Sequence, residues 1–134
     1  MTEDRYYGAK IPKTQYEDIL KFLRKERIMR HFFKNGNITE FTRSALRFSI
    51  ASYYLFPERV NQKLNEVYVR EKFHKNTIKL HRELIDEIEE LFVKKRVIRD
   101  KYNNSKNKFV KYSLLDHVAY WLPLCDQYLL NKPS

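Results

Sequence analysis

One cysteine, two glycines and four prolines in 134 residues leave this chain few of the usual structural devices. With Cys125 alone, neither an intrachain disulfide nor a cysteine-based zinc site can form, which fits a reducing, intracellular setting. A lone thiol of this kind reads as a small buried apolar residue. Gly8 and Gly36 are isolated and cannot build a phosphate-cradling loop, and so little Gly and Pro points to long helices and few turns. No run approaches the roughly 18 apolar residues needed to span a bilayer, and Met1-Thr2-Glu3-Asp4-Arg5 has no apolar core like that of a signal peptide. The expectation is a cytoplasmic protein with no membrane partner. His31, His74, His81 and His117 lack zinc-ligand spacing and no nucleophile sits in a recognisable setting, so no metal, no cofactor and no catalysis are expected. Acid is scarce as well: 17 Asp and Glu face 27 Lys and Arg, a net charge of +10 that favours a polyanionic partner.

What the chain does have is bulk and repetition. Ten Tyr, nine Phe and one Trp, with 43% apolar residues, supply enough buried surface to exclude disorder. Lys25-Glu26-Arg27-Ile28-Met29-Arg30 returns 69 positions later as Lys94-Lys95-Arg96-Val97-Ile98-Arg99. The same offset carries Lys10-Ile11 onto Lys79-Leu80, Ile19 onto Ile88 and Phe22-Leu23 onto Leu91-Phe92; after one deletion it becomes 68 and carries Phe41 onto Phe109 and Tyr53 onto Trp121. Two units of about fifty residues are each too small to bury a sufficient core, so they should share one.

In the first unit, Tyr6 to Ile11 alternates and ends at Pro12, which suits a short strand leading into a helix. Tyr16, Ile19, Phe22, Leu23, Met29 and Phe33 predict a helix from about Lys13 to Lys34, closed by Asn35-Gly36-Asn37. Ile85, Ile88, Leu91, Phe92, Ile98 and Tyr102 copy that stripe. A second helix is expected from a cap at Thr39 to about Phe56, with Phe41, Thr42, Ala45, Leu46, Ser49, Ile50 and Tyr53 inward and Pro57 ending it. Its copy presents Phe109, Val110, Ser113, Leu114, His117, Val118 and Trp121, closed by Pro123. The fold class is thus mostly α, divided as 1–56, a connecting helix over 57–73 reaching roughly 25 Å, 74–123, and an apolar tail over 124–134. Val67-Tyr68-Val69 leaves a strand open within the connection.

Asn37-Ile38-Thr39-Glu40-Phe41-Thr42-Arg43-Ser44-Ala45-Leu46 resembles the second-helix signature of ribbon-helix-helix DNA-binding proteins, a Ser-Glu-aromatic-x-Arg-x-Ala-Leu run. The second copy resembles it through Thr77-Ile78-Lys79-Leu80, Arg82-Glu83-Leu84-Ile85 and Ser105-Lys106-Asn107-Lys108-Phe109-Val110-Lys111, with Lys108 where the family prefers Glu. The strand-to-Glu spacing is about seven residues longer than in most members, close to two helical turns, so a longer first helix keeps its buried face. The tandem arrangement is similar to regulators encoded by viruses and plasmids of archaea. The resemblance implies two ribbon-helix-helix motifs paired as an intramolecular pseudo-dimer. Its two-stranded antiparallel ribbon would enter the major groove of double-stranded DNA above four main helices.

With Ile11 and Leu80 inward, alternation turns Tyr7, Ala9 and Ile78 inward and Tyr6, Gly8, Lys10, Lys75, Thr77 and Lys79 outward. Lys10, Lys79 and Thr77 are the expected base readers, and Gly8 permits close approach. Backbone at the two second-helix starts, Asn37, Ile38 and Thr39 and again Ser105, Lys106 and Asn107, is expected to clamp phosphates. The reading leaves room for several chains side by side along DNA. Two other classes stay open: an antitoxin-like interaction module using the tail after Pro123 as a handle, and a metal-dependent nuclease using Glu83, Asp86, Glu87, Glu89 and Glu90, which read more simply as a solvated helix face.

Overall fold

The computed structural model describes residues 5–130. It is mostly helical, with strand β1 (Tyr6–Ala9), helices α1 (Lys13–Lys25), α2 (Arg27–Phe32) and α3 (Ile38–Leu55), strand β2 (Ile78–His81), and helices α4 (Arg82–Lys94), α5 (Arg96–Lys101) and α6 (Lys106–Leu130). The start of α6 trails that of α3 by 68 positions, while α4 and α5 trail α1 and α2 by 69, so the sequence repeat is a structural one.

β1 and β2 pair antiparallel, with Tyr6 opposite His81, Tyr7 opposite Leu80, Gly8 opposite Lys79 and Ala9 opposite Ile78. Ala9 and Ile78 stand 69 positions apart, so the repeat places two equivalent residues face to face. A twofold axis between paired copies of one strand has to pass through such a pair. Ala9, Ile11, Ile78 and Leu80 are buried, and Tyr6, Gly8, Lys10, Lys79 and His81 are exposed, as a strand with one solvated face requires.

The long first helix expected over Lys13 to Lys34 is two helices. The chain turns extended at Glu26 (φ −76°, ψ 125°), and at the equivalent Lys95 it leaves helical geometry with φ −128° and ψ 84°. The seven additional residues therefore do not lengthen one rod; they form α2 and a 3-10 turn at Lys34–Gly36, with α5 as the counterpart. The reason lies in rotation. Leu23 and Met29 are both buried, yet six residues advance an unbroken helix by about 600°, leaving Met29 some 120° off the Leu23 face. A continuous stripe would have needed Glu26, Arg27 and Arg30 inside. Breaking the helix returns Met29 and Phe33, and likewise Ile98 and Tyr102, to the core.

α3 and α6 pass antiparallel: the Phe41 ring lies 4.9 Å from that of His117, and the Tyr53 ring lies 6.3 Å from that of Phe109. Both copies contribute to one contiguous core. At its centre the Tyr53 and Tyr102 hydroxyls meet at 2.5 Å. Burial raises the pKa of both phenols, so both stay protonated.

Two further expectations are corrected. The connection over 57–73 is not a helix: one 3-10 turn, Pro57–Asn61, is followed by irregular chain. Tyr68 and Arg70 adopt positive φ (55° and 62°), which no helix allows. Tertiary bonds hold the segment instead. Phe73 bridges to Pro12, the Lys13 N–H donates to the Lys72 carbonyl at 2.9 Å, the His74 ring stacks on Tyr16 at 3.9 Å, and Tyr68 donates to Asp18 at 3.1 Å. Pro123 does not close the last helix either; α6 runs through it to Leu130. The first residues of the expected tail are thus helix, and Cys125 is buried, its thiol pushed up to about 11 by desolvation. Positions 131–134 of that tail lie outside the described residues.

Candidate nucleic-acid interface

The outer face of the ribbon is built by the alternation that buries Ala9 and Leu80. Tyr6, Gly8, Lys10, Thr77 and Lys79 all lie on the exposed side. Lys75 is exposed as well but sits in a bend before β2, off the strand ladder, because the pairing shifts between Ala9 opposite Ile78 and Pro12 opposite Phe73. The alternation that turns Lys75 and Thr77 outward treats the second strand as running from Lys75 to Leu80; the strand begins at Ile78. His81 was not expected on this face; it stands opposite Tyr6, with ring centroids 4.9 Å apart. Extending the strand alternation one step past Lys79 would have found it.

Gly8 has two effects. It faces Lys79 across the ladder and offers no side chain there. A Cβ added at Gly8 would lie 3.2 Å from the Thr77 hydroxyl, so the threonine side chain leans into the space that glycine leaves. No Asp or Glu stands on this face among Tyr6, Gly8, Lys10, Thr77, Lys79 and His81.

Both second helices begin with side-chain caps at equivalent positions. Asn37 Oδ1 accepts from the Glu40 N–H at 3.1 Å, and Ser105 Oγ accepts from the Lys108 N–H at 3.1 Å. The cap expected at Thr39 is therefore at Asn37, two residues earlier, with Ile38 buried and Thr39 half-buried in the first turn. On the α6 side, Asn107 Oδ1 accepts from the Lys10 N–H at 3.0 Å and from the Tyr7 hydroxyl at 3.4 Å. The Asn107 side chain ties the helix start to the ribbon through its oxygen. Lys106 pairs with Glu89 at 3.1 Å and lies 5.7 Å over the Tyr7 ring. The two helix starts are thus alike in backbone and unlike in side chains.

Each strand also has a cation from the neighbouring second helix. Arg43 of α3 lines a hollow with His81 of β2, and Lys111, its repeat equivalent, lines a groove with Lys10 beside β1. That groove, about 320 Å³, also takes in Arg70, Ser105, Asn107 and Lys108 together with Glu66 and Glu71. Desolvation, then the nearby Lys108, lowers the Lys111 pKa. The 68-residue offset of the sequence pairs Lys111 with Arg43, but only folding brings Arg70 in from the connection.

Of the five acids on α4, Asp86, Glu89 and Glu90 are paired, while Glu83 and Glu87 have no cation partner among the described residues. Arg82 reaches Asp86 at 3.5 Å and Glu89 at 3.9 Å, and Lys94 reaches Glu90 at 2.6 Å. Among the described residues no three His, Cys, Asp or Glu side chains gather where they could hold a metal ion, and no helix is long and apolar enough to cross a membrane. No family model, curated protein or solved structure matches the chain, so its residues alone carry the functional argument.

Proposed function

We propose that the protein is a sequence-specific double-stranded DNA-binding transcription regulator of tandem ribbon-helix-helix type, with the ribbon as its reading element. One observation carries this reading. Two copies of a repeat contribute one strand each to a solvated ribbon face that holds Lys10, Lys79, Thr77 and His81 and, among the described residues, no carboxylate. A two-stranded ribbon fits the major groove; lysine ammonium groups can donate to guanine O6 and N7, and a threonine can offer its hydroxyl to a base or its methyl to thymine. Lys75, off the ladder, is better placed for a phosphate than for a base edge. The unpaired N–H groups at the starts of α3 and α6 supply further phosphate contacts, at Ile38 and Thr39 and at Lys106 and Asn107. Because Gly8 of the first copy stands where the second has Thr77, 69 positions on, the two halves of the ribbon read unequally and the preferred site departs from a perfect palindrome.

The test is to select binding sites from a random duplex pool and compare Lys10→Ala with Lys79→Ala, combined, by fluorescence anisotropy. The double variant should lose about tenfold or more of its preference for the selected site over random duplex, with little change in melting temperature. Retained preference would mean that the ribbon is not the reader. Affinity of the native chain should fall with salt by a slope of about −0.9 per phosphate neutralised.

A further inference from the structure

The two copies agree on the face they bury and differ on the face they expose. On α1 the charged residues are Lys13, Lys21, Arg24 and Lys25 against Glu17 and Asp18, an excess of two bases. On α4 they are Arg82 and Lys94 against Glu83, Asp86, Glu87, Glu89 and Glu90, an excess of three acids. The 69-residue offset sets Lys21 on Glu90 and Arg24 on Val93. Lys21 and Arg24 have no carboxylate partner among the described residues. Shape follows the same division. Val93 and Val97 project from the junction of α4 and α5, 76% and 63% exposed, while Leu20 sits half-buried in a shallow hollow of α1 between Glu17, Lys21 and Arg24.

We propose that this chain associates head to tail with further copies of itself. The α4 shoulder of one copy seats Val93 over Leu20 of the next and sets Glu87 and Glu90 against Lys21 and Arg24. Charge selects a contact between unlike faces over one between like faces. An α1-to-α1 contact would oppose bases to bases, and an α4-to-α4 contact acids to acids. Repeated from copy to copy, a heterologous contact gives a row of chains facing one way, open unless its rotation closes it into a ring. The contact does not depend on DNA, and a test without DNA keeps it separate from the ribbon reading. On a duplex it would set neighbouring copies in one direction.

Full-length chain carrying Leu20→Cys and Val93→Cys together, which keeps the charges, mildly oxidised at low salt without DNA, should give a ladder of covalent oligomers; Cys125 is buried and does not compete. Each single variant should stay monomeric, and an equimolar mixture of the two should give a covalent dimer. Single variants that dimerise with themselves as readily as the mixture, or a double variant that remains monomeric, would overturn the proposal. By sedimentation at low salt, mass should rise with concentration for the native chain, stay flat for Lys21→Glu, and rise again when Glu90→Lys is added. An unchanged profile for Lys21→Glu would equally reject it.

Discussion

At His117 a single side chain reports on the packing between α3 and α6. Its Nε2 lies 3.2 Å from the Trp121 indole N–H, and an indole can only donate, so Nε2 accepts and the ring carries its proton on Nδ1. The Ser44 hydroxyl, 2.9 Å from the same nitrogen, then shares that nitrogen's single lone pair as a second donor. Burial pushes the His117 pKa down to about 4, against 6.5 for an unburied imidazole. The unfolded chain takes up this proton near 6.5 and the folded one only near 4, so the contribution is complete above the unfolded value and is lost as pH falls between them. The loss is at most about 3 kcal/mol. Melting temperature followed from pH 7 to pH 4 should fall more steeply for the native chain than for His117→Gln, which keeps an acceptor and has no proton to gain. The buried Tyr53–Tyr102 pair has the opposite logic. Tyr53→Phe strands one hydroxyl in the core and should cost about 1–3 kcal/mol in urea unfolding, whereas converting both tyrosines to Phe should cost less than either change alone.

For the elements, legibility depended on whether a signal was local. The inward faces of α3 and α6 were readable in full as far as Tyr53 and His117, because a 3.6-residue period and its second copy agreed. The helix starts were read to within two residues, since Asn37 and Thr39 are both acceptable caps and only the bond to the Glu40 N–H tells them apart. Asn37→Ala and Ser105→Ala should each lower stability by about 1 kcal/mol, and by similar amounts, because each caps one equivalent N–H; thermal unfolding checks this. The break at Glu26 and Lys95 was present in the spacing, where the next stripe positions are charged, but neither Gly nor Pro announced it. Pro123 misled in the other direction. Inside a long helix that buries Cys125 beyond the proline, the loss of one backbone bond does not stop the rod.

Across the whole molecule, the ribbon and the antiparallel α3–α6 crossing each need both copies. Neither half has a second strand or a second crossing helix of its own, so pieces 1–61 and 62–134 should each lack a cooperative melt by circular dichroism, and mixing them should restore one. A cooperative transition in either piece alone would contradict a shared core. The candidate interface follows the same division. Lys10, Lys79 and Thr77 were legible because strand alternation is a local rule, whereas the register that sets Gly8 opposite Lys79 came only from the fold. The engagement of Asn107 with Tyr7 and Lys10, about a hundred residues apart in the chain, and the arrival of Arg70 beside Lys111 had no local signature.

Amino-acid order was sufficient for the repeat, the buried stripes and the alternating strands, since each is a periodicity imposed by backbone geometry on neighbouring residues. The path of the 57–73 segment, the two breaks in the first helices and the passage of α6 through Pro123 came from packing. In each case contacts between residues distant in the chain outweighed what the nearby residues prefer, because burying Met29, Ile98 and Cys125 in one shared core stabilises more than a locally regular backbone does.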